Sequence, residues 1–322
     1  MDFEEQIKSL NVYKDFKTTL ENNKLSQAYL FMCPDRLTNK NLLLELAKLL
    51  QCENETGCDN CPSCIKIKAG THPDVLIYPS SLNFMVEDAS KIYNNVQVKP
   101  MLSNYKVFII NDFDLSTEQA QNKMLKILEE PPSNVIFLLS ATNQEKILKT
   151  ILSRVQKITV DKITKSKLEN LFVDVPTHIL NVAISFGEGY LGKTLDIINN
   201  KEFILDYENM VNLIKNLKNS SFIPFYSQFF VKDKSKFENN LLILNSLYRD
   251  MLMIALNKND LVSNANLKTE WGNGFGEYSA SALTEILKRI NLVKKKLDSN
   301  VNLTVLADNL LFDILEVKYL CK

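Results

Sequence analysis

Leu125-Lys126-Ile127-Leu128-Glu129-Glu130-Pro131-Pro132-Ser133-Asn134-Val135-Ile136-Phe137-Leu138-Leu139 joins the end of a helix to a strand in one short run. Upstream, Ser116 opens the helix, and Gln119 stands three residues on, where it completes a capping box. Ala120, Met124, Ile127 and Leu128 then recur at helical spacing and mark one apolar face. Pro131-Pro132 ends the helix, because proline lacks an amide hydrogen and its ring clashes with the preceding turn. Residues 135–139 are apolar at every position, the pattern of a strand covered on both faces.

The same alternation extends outward. Residues 28–32, 75–78, 107–110 and 156–160 read as further strands, and leucines at 42, 43, 46, 49 and 50 make 40–50 a helix. Strand and helix in alternation predict an α/β layer around a mainly parallel sheet. Near Asp161 the strand signals stop. Residues 167–200 read as short helices around a Gly187-Glu188-Gly189 break, and from Lys201 the pattern is helical to the end. Stretches 241–256, 283–297 and 303–320 are amphipathic, and 257–277 reads as a polar loop. The predicted layout is an α/β domain over 1–160, a small helical lid-like domain over 161–205 and an all-helical C-terminal domain over 206–322.

With 322 residues, 45% of them hydrophobic, the chain has material for two or three domain cores. Its 38 basic residues balance 38 acidic ones, which removes any long-range attraction to DNA or an anionic membrane. A nucleic-acid role then falls to a local patch or a partner. Met1-Asp2-Phe3-Glu4-Glu5 lacks the basic-then-apolar order of a signal peptide, and no apolar run approaches the ~20 residues that span a bilayer. The expectation is a soluble, cytoplasmic protein with no membrane partner.

Four of the six cysteines fall in Cys52-x5-Cys58-x2-Cys61-x2-Cys64, while Cys33 and Cys321 stand alone. Four thiolates close a tetrahedron around zinc, and Gly57 and Pro62 give the tight turns that point successive sulfurs inward. A closed four-sulfur shell leaves no position for a reacting water, so one structural zinc per chain is expected. Clustering of this kind belongs to a reducing compartment more than to a disulfide scaffold. His72 follows shortly after and reads as a hydrogen-bonding loop residue.

Around the knuckle the order of segments is specific: Gly70-Thr71-His72-Pro73-Asp74, Lys106-Val107-Phe108-Ile109-Ile110, the Leu-Glu-Glu-Pro-Pro of 128–132, and Thr150-Ile151-Leu152-Ser153-Arg154. Together they resemble the bacterial clamp-loader subunits of the AAA+ superfamily, closely over 25–160 and loosely beyond. The resemblance implies an AAA+-like domain, a helical lid and a C-terminal collar domain that holds subunits in a ring. It also implies delta and gamma/tau-type subunits as partners, with the sliding clamp and primer–template DNA met through the assembled complex.

That family contains ATP-hydrolysing members and a member that does not hydrolyse, and the phosphate loop separates them. A working loop reads G-x-x-x-x-G-K-[ST], with glycines for close backbone approach and a lysine to neutralise phosphate. Here the stretch is Cys33-Pro34-Asp35-Arg36-Leu37-Thr38-Asn39-Lys40-Asn41: both glycines are absent, Asn39 takes the lysine position, Lys40 the hydroxyl position, and Asp35 adds negative charge. The acidic pair after the third strand is replaced by Asn111-Asp112-Phe113-Asp114. Gly189-Tyr190-Leu191-Gly192-Lys193 lacks the nucleotide-sensing arginine of hydrolysing relatives, with Lys193 beside that position, and Thr142 matches a sensor position. No ATP cofactor is expected.

Arg154 is the functional residue that the resemblance retains. In the family, a Ser-Arg-Cys motif projects its arginine into a neighbouring subunit's ATP site; here Ser153-Arg154 is followed by Val155. A guanidinium suits that work because it stays charged and grips two phosphate oxygens at once. In the C-terminal part, Tyr248-Arg249-Asp250-Met251-Leu252 and Asn300-Val301-Asn302-Leu303 resemble the collar domain. The reading is therefore a non-catalytic stator of a clamp loader. Its competitors are a hydrolysing subunit with an atypical loop and a stand-alone zinc-dependent DNA-binding protein, the latter disfavoured by the absence of a basic or aromatic cluster around the cysteines.

Overall fold

An apolar strand buried on both faces needs a helical layer on each side, and the computed structural model, which describes residues 3–320 except 81, 265–277, 298 and 300, is built that way. Strands β1 (Ala28–Met32), β2 (Val75–Tyr78), β3 (Lys106–Ile110), β4 (Val135–Ala141) and β5 (Gln156–Thr159) form one sheet in the order β2-β3-β4-β1-β5. Every pairing is parallel, with Leu30 opposite Leu139 and Phe108 opposite Phe137.

Among the described residues, eight α-helices accompany these strands: α1 (Phe3–Lys8), α2 (Asn11–Glu21), α3 (Arg36–Gln51), α4 (Pro62–Lys68), α5 (Val86–Val96), α6 (Glu118–Glu129), α7 (Lys149–Leu152) and α8 (Lys165–Leu171). Side chains alternate across a strand, so Leu30, Phe108, Ile110, Val135, Phe137 and Leu139 share one core with Ile92 of α5 and Met124 and Ile127 of α6. Tyr29 and Phe31 point the other way and pack on Phe16 of α2, with ring centroids 5.1 and 6.3 Å apart.

Three local expectations need correction. Ser116 does not cap α6; its hydroxyl closes the preceding turn on the Phe113 carbonyl, and Thr117 caps instead, accepting the Ala120 amide at 3.3 Å. The helix predicted over 40–50 starts earlier, at Arg36, because Asp35 caps it. The last strand is not covered on both faces: β5 lies at the edge beside β1, and Gln156, Lys157 and Thr159 are exposed.

The chain divides into two compact units, 1–172 with 189–193, and 173–188 with 194–322. In the second, the described elements are all helical: α9 (Thr177–Gly187), most of α10 (Leu191–Asn199), α11 (Lys201–Asn216), α12 (Ile223–Ser227), α13 (Lys234–Ala255), α14 (Ala280–Lys296) and α15 (Leu303–Leu320). Their core gathers Met210, Leu244, Tyr248, Met251, Ile286 and Leu310. Asp250, buried in α13, accepts the amides of Ser263 and Asn264 at 3.1 and 2.8 Å and so fixes the chain after that helix. Asn300, Cys321 and residues 265–277 of the predicted polar loop lie outside the described residues. Among the described residues, no helix is long and apolar enough to cross a membrane.

Phe137→Ala should be costly, because that ring is fully buried in β4 and stacks on Phe108 at 5.2 Å. The expected loss is ~3–5 kcal/mol of unfolding free energy, read from urea melts of the two proteins. An unshifted urea midpoint would contradict this account of the core.

Candidate functional site

The four clustered cysteines converge. Cys52 follows the last residue of α3, Cys61 caps the start of α4, Cys64 lies in its first turn, and Cys58 comes from the loop between. All four sulfurs lie within 4.8 Å of one another. The loop makes this reversal through left-handed backbone at Glu55, Gly57 and Asp59. Burial alone would raise the Cys52 thiol, but the amide hydrogens of Cys58, Thr56 and Asn54 outweigh it and lower the pKa to about 6. Cys61 is likewise held down, against burial, by amides including that of Cys64. Cys64 moves upward through burial and the negative charge of its neighbours. Four thiolates so close repel one another, and a soft divalent cation relieves that repulsion. The cluster therefore fits zinc. His72 takes no part; its Nδ1 accepts the Asp74 amide at 3.2 Å, as expected of a loop residue.

A second attachment holds the knuckle, and sequence reasoning missed it. Lys48, 2% exposed on α3, places its ammonium 2.9 Å from Glu4, 2.6 Å from Glu45 and 2.7 Å from Asp59. Lys8 joins the group through Glu45 at 3.4 Å, through Asp59, and through the Gly57 carbonyl at 2.6 Å. Burial opposes the Lys48 charge, yet its bonds to Asp59, Glu45 and Glu4 hold its pKa above the usual lysine value. Knuckle, α1 and α3 thus share one ion network. The available signal was a lysine inside the leucine stripe of α3, with Glu45 three residues before it.

The stretch from Cys33 to Asn41 is closed by its own side chains. Asp35 is buried at the start of α3 and accepts the amides of Leu37 and Thr38 at 3.1 and 3.3 Å, as well as the Thr38 hydroxyl. It also accepts the Gly192 and Lys193 amides at 2.7 and 3.1 Å. Asn39 is fully buried, and its amide nitrogen spans the Cys33 carbonyl at 3.0 Å and the Ala141 carbonyl at 3.3 Å, tying the ends of β1 and β4 together. Burial pushes the Cys33 thiol up to about 12, so it stays protonated. Lys40 points to solvent. The ammonium of Lys193 lies 5.4 Å from the Tyr190 ring centroid, a cation–π contact.

The turn after β3 sits beside this loop. Arg36 pairs with Asp112 at 3.1 Å, and Asp112 has left-handed backbone with its amide on the Ser140 hydroxyl at 3.1 Å. Asp114 is buried and accepts the Thr142 hydroxyl at 2.8 Å and the Asn143 amide at 3.3 Å. Thr142 is thus brought onto the acidic turn.

Arg154 lies apart from this cluster, after α7. Its guanidinium donates to the Thr150 carbonyl at 2.8 Å and the Ser153 hydroxyl at 3.4 Å, and meets Glu129 of the Leu-Glu-Glu-Pro-Pro segment at 3.0 Å. Val155 behind it is buried, anchoring the turn. The Glu129 contact links two motifs that the sequence presents separately.

Comparison with known proteins agrees with this architecture. Residues 8–164 match the family model described as DNA polymerase III, delta subunit. The DNA polymerase III subunit delta′ of Bacillus subtilis is 26% identical over 315 residues, 95% of both chains. The tau subunit of the same organism is 34% identical over 209 residues, covering 61% of this chain and 37% of tau. A gamma subunit-related protein of Thermotoga maritima has the same fold, with a TM-score of 0.50 and 18% identity over 94% of this chain and 99% of that one. This chain is thus similar to clamp-loader subunits of bacterial DNA polymerase III. Within that group, its similarity to a delta′ subunit runs along nearly the whole length of both proteins.

Purified protein should carry about one zinc per chain, measured by elemental analysis. Cys61→Ser should release it while the sheet keeps its far-UV signature, because the core around Phe137 does not touch the knuckle. Native metal-free protein with four freely titratable thiols at 52, 58, 61 and 64 would exclude the site.

Proposed function

We propose that this chain is a delta′-type, non-hydrolysing subunit of a DNA polymerase III clamp loader acting in the cytoplasm. It assembles with delta and gamma/tau-type ATPase subunits through a helical collar within 206–322, and carries a lid over 161–205. The assembled complex loads the sliding clamp at primer–template DNA. The observation that carries the reading is the loop from Cys33 to Asn41. Where phosphate-binding amides and a lysine are needed, Asn39 is spent on two backbone carbonyls and Asp35 on the amides of α3 and of residues 192–193. A phosphate entering there meets a carboxylate rather than a cation. In this reading Ser153-Arg154 is the contribution to catalysis, made in a neighbour's site, where a planar cation stabilises the charge that develops during phosphoryl transfer.

Two measurements test this. The isolated chain should give background signal in ATP filter binding and in phosphate release; saturable micromolar ATP binding would defeat the argument from the loop, and phosphate release would defeat the non-hydrolysing reading. Arg154→Ala should leave the subunit folded and the loader assembled by gel filtration, but lower the clamp- and DNA-stimulated ATPase rate. Arginine fingers are worth ~10³–10⁵-fold at one site, and the effect on the whole loader should be smaller because other ATP sites persist. Arg154→Lys should recover little, since a point charge lacks the two-pronged contact. Unchanged stimulated rates in an intact mutant complex would return Arg154 to an ordinary surface role.

A further inference from the structure

Two helices begin at one point within the first unit. The N-terminal amides of α3, at Leu37 and Thr38, and those of α10, at Gly192 and Lys193, all aim at the carboxylate of Asp35. The Thr38 hydroxyl completes the set, donating to Asp35 while accepting the Gly192 amide at 2.9 Å. Helix N-termini leave these amides without partners inside the helix and carry about half a positive charge each. Two such ends together match one carboxylate in charge, and Asp35 is only 2% exposed. Amides converging in this way form an anion seat of the kind that cradles phosphate.

We propose that this seat is an anion-binding site whose permanent ligand is the chain's own Asp35 carboxylate, which thereby fastens residues 189–193 to the start of α3. The inference deepens the non-hydrolysing reading and rests on it for the identity of the seat: the place is occupied, beyond having lost its glycines. Gly192 explains itself on this basis. A Cβ there would stand 2.6 Å from Asp35 Oδ1 and 2.8 Å from the Leu37 Cβ, so the backbone reaches the carboxylate only without a side chain. The sensing arginine missing from this segment has no phosphate to read, and the segment is held through its main chain instead.

The test is chemical rescue of the full chain. Asp35→Ala should lower the melting temperature and speed amide exchange at Gly192 and Lys193 by on the order of tenfold, the scale of one charge-assisted hydrogen bond. Formate, which returns a free carboxylate, should restore both in a saturable way, while chloride at equal ionic strength should not. Should Asp35→Ala fail to fold, Gly192→Ala carries the test: its Cβ should release residues 189–193 and speed their exchange with the β4 amides unaffected. Formate acting no differently from chloride, or unchanged exchange of 189–193 in Gly192→Ala, overturns the inference. Phosphate release from ATP by the unaltered chain, with formate rescue intact, would instead defeat the non-hydrolysing reading alone, so the two failures are distinguishable.

Discussion

Burial of the central strands on both faces governs where everything else in the first unit stands. With β3 and β4 wholly enclosed, and β1 enclosed up to Met32, there is little place for a polar side chain inside them, and the chemistry is displaced to their carboxyl ends. Asp35 and Asn39 follow β1, Asp112 and Asp114 follow β3, and Thr142 follows β4. Because β4 lies between β3 and β1, these three ends are neighbours, and the bonds between them follow from strand order. Asn39 reaches the Ala141 carbonyl, Asp112 the Ser140 hydroxyl and Asp114 the Thr142 hydroxyl.

Helix α3 connects this edge to the cysteine knuckle. Asp35 caps its first turn and Cys52 follows its last, a span of about 24 Å at the usual rise per residue. Between them, Leu42, Leu46 and Leu49 are fully buried, while Glu45 and Lys48 turn toward α1 and Asp59. The knuckle is therefore fastened twice, by sulfur and by charge. The charge attachment runs through the same helix whose first turn Asp35 caps, so the two features share a support.

Much of this was legible in the residues. Unbroken apolar runs revealed the strands because the central ones are covered on both faces, and the pattern misled at the two edges, β2 and β5, where an edge position relieves the requirement. The cysteine spacing located the knuckle because four soft ligands in a short loop have few other uses. Partners distant in sequence were not legible. Nothing in Glu129 or Arg154 alone announces their contact, since it depends on how the β4 crossover returns the chain. The seat at Asp35 needed the same long-range information, because Gly192 and Lys193 lie far along the chain. Asp35 read as a residue that repels phosphate; in the structure its carboxylate accepts the amides at the start of α3 and at residues 192–193.

The posture of Arg154 has a thermodynamic side. An arginine free in solvent samples many rotamers, and fixing one costs up to ~2 kcal/mol. Here the Thr150 carbonyl, the Ser153 hydroxyl and Glu129 select a rotamer before anything else arrives, while Nε keeps no partner. The Glu129 pairing is partly exposed, with side chains 31% and 57% accessible, so it holds the guanidinium by no more than ~1 kcal/mol and weakens further in salt. An incoming anion would exchange with one carboxylate, one for one, and find the side chain already ordered.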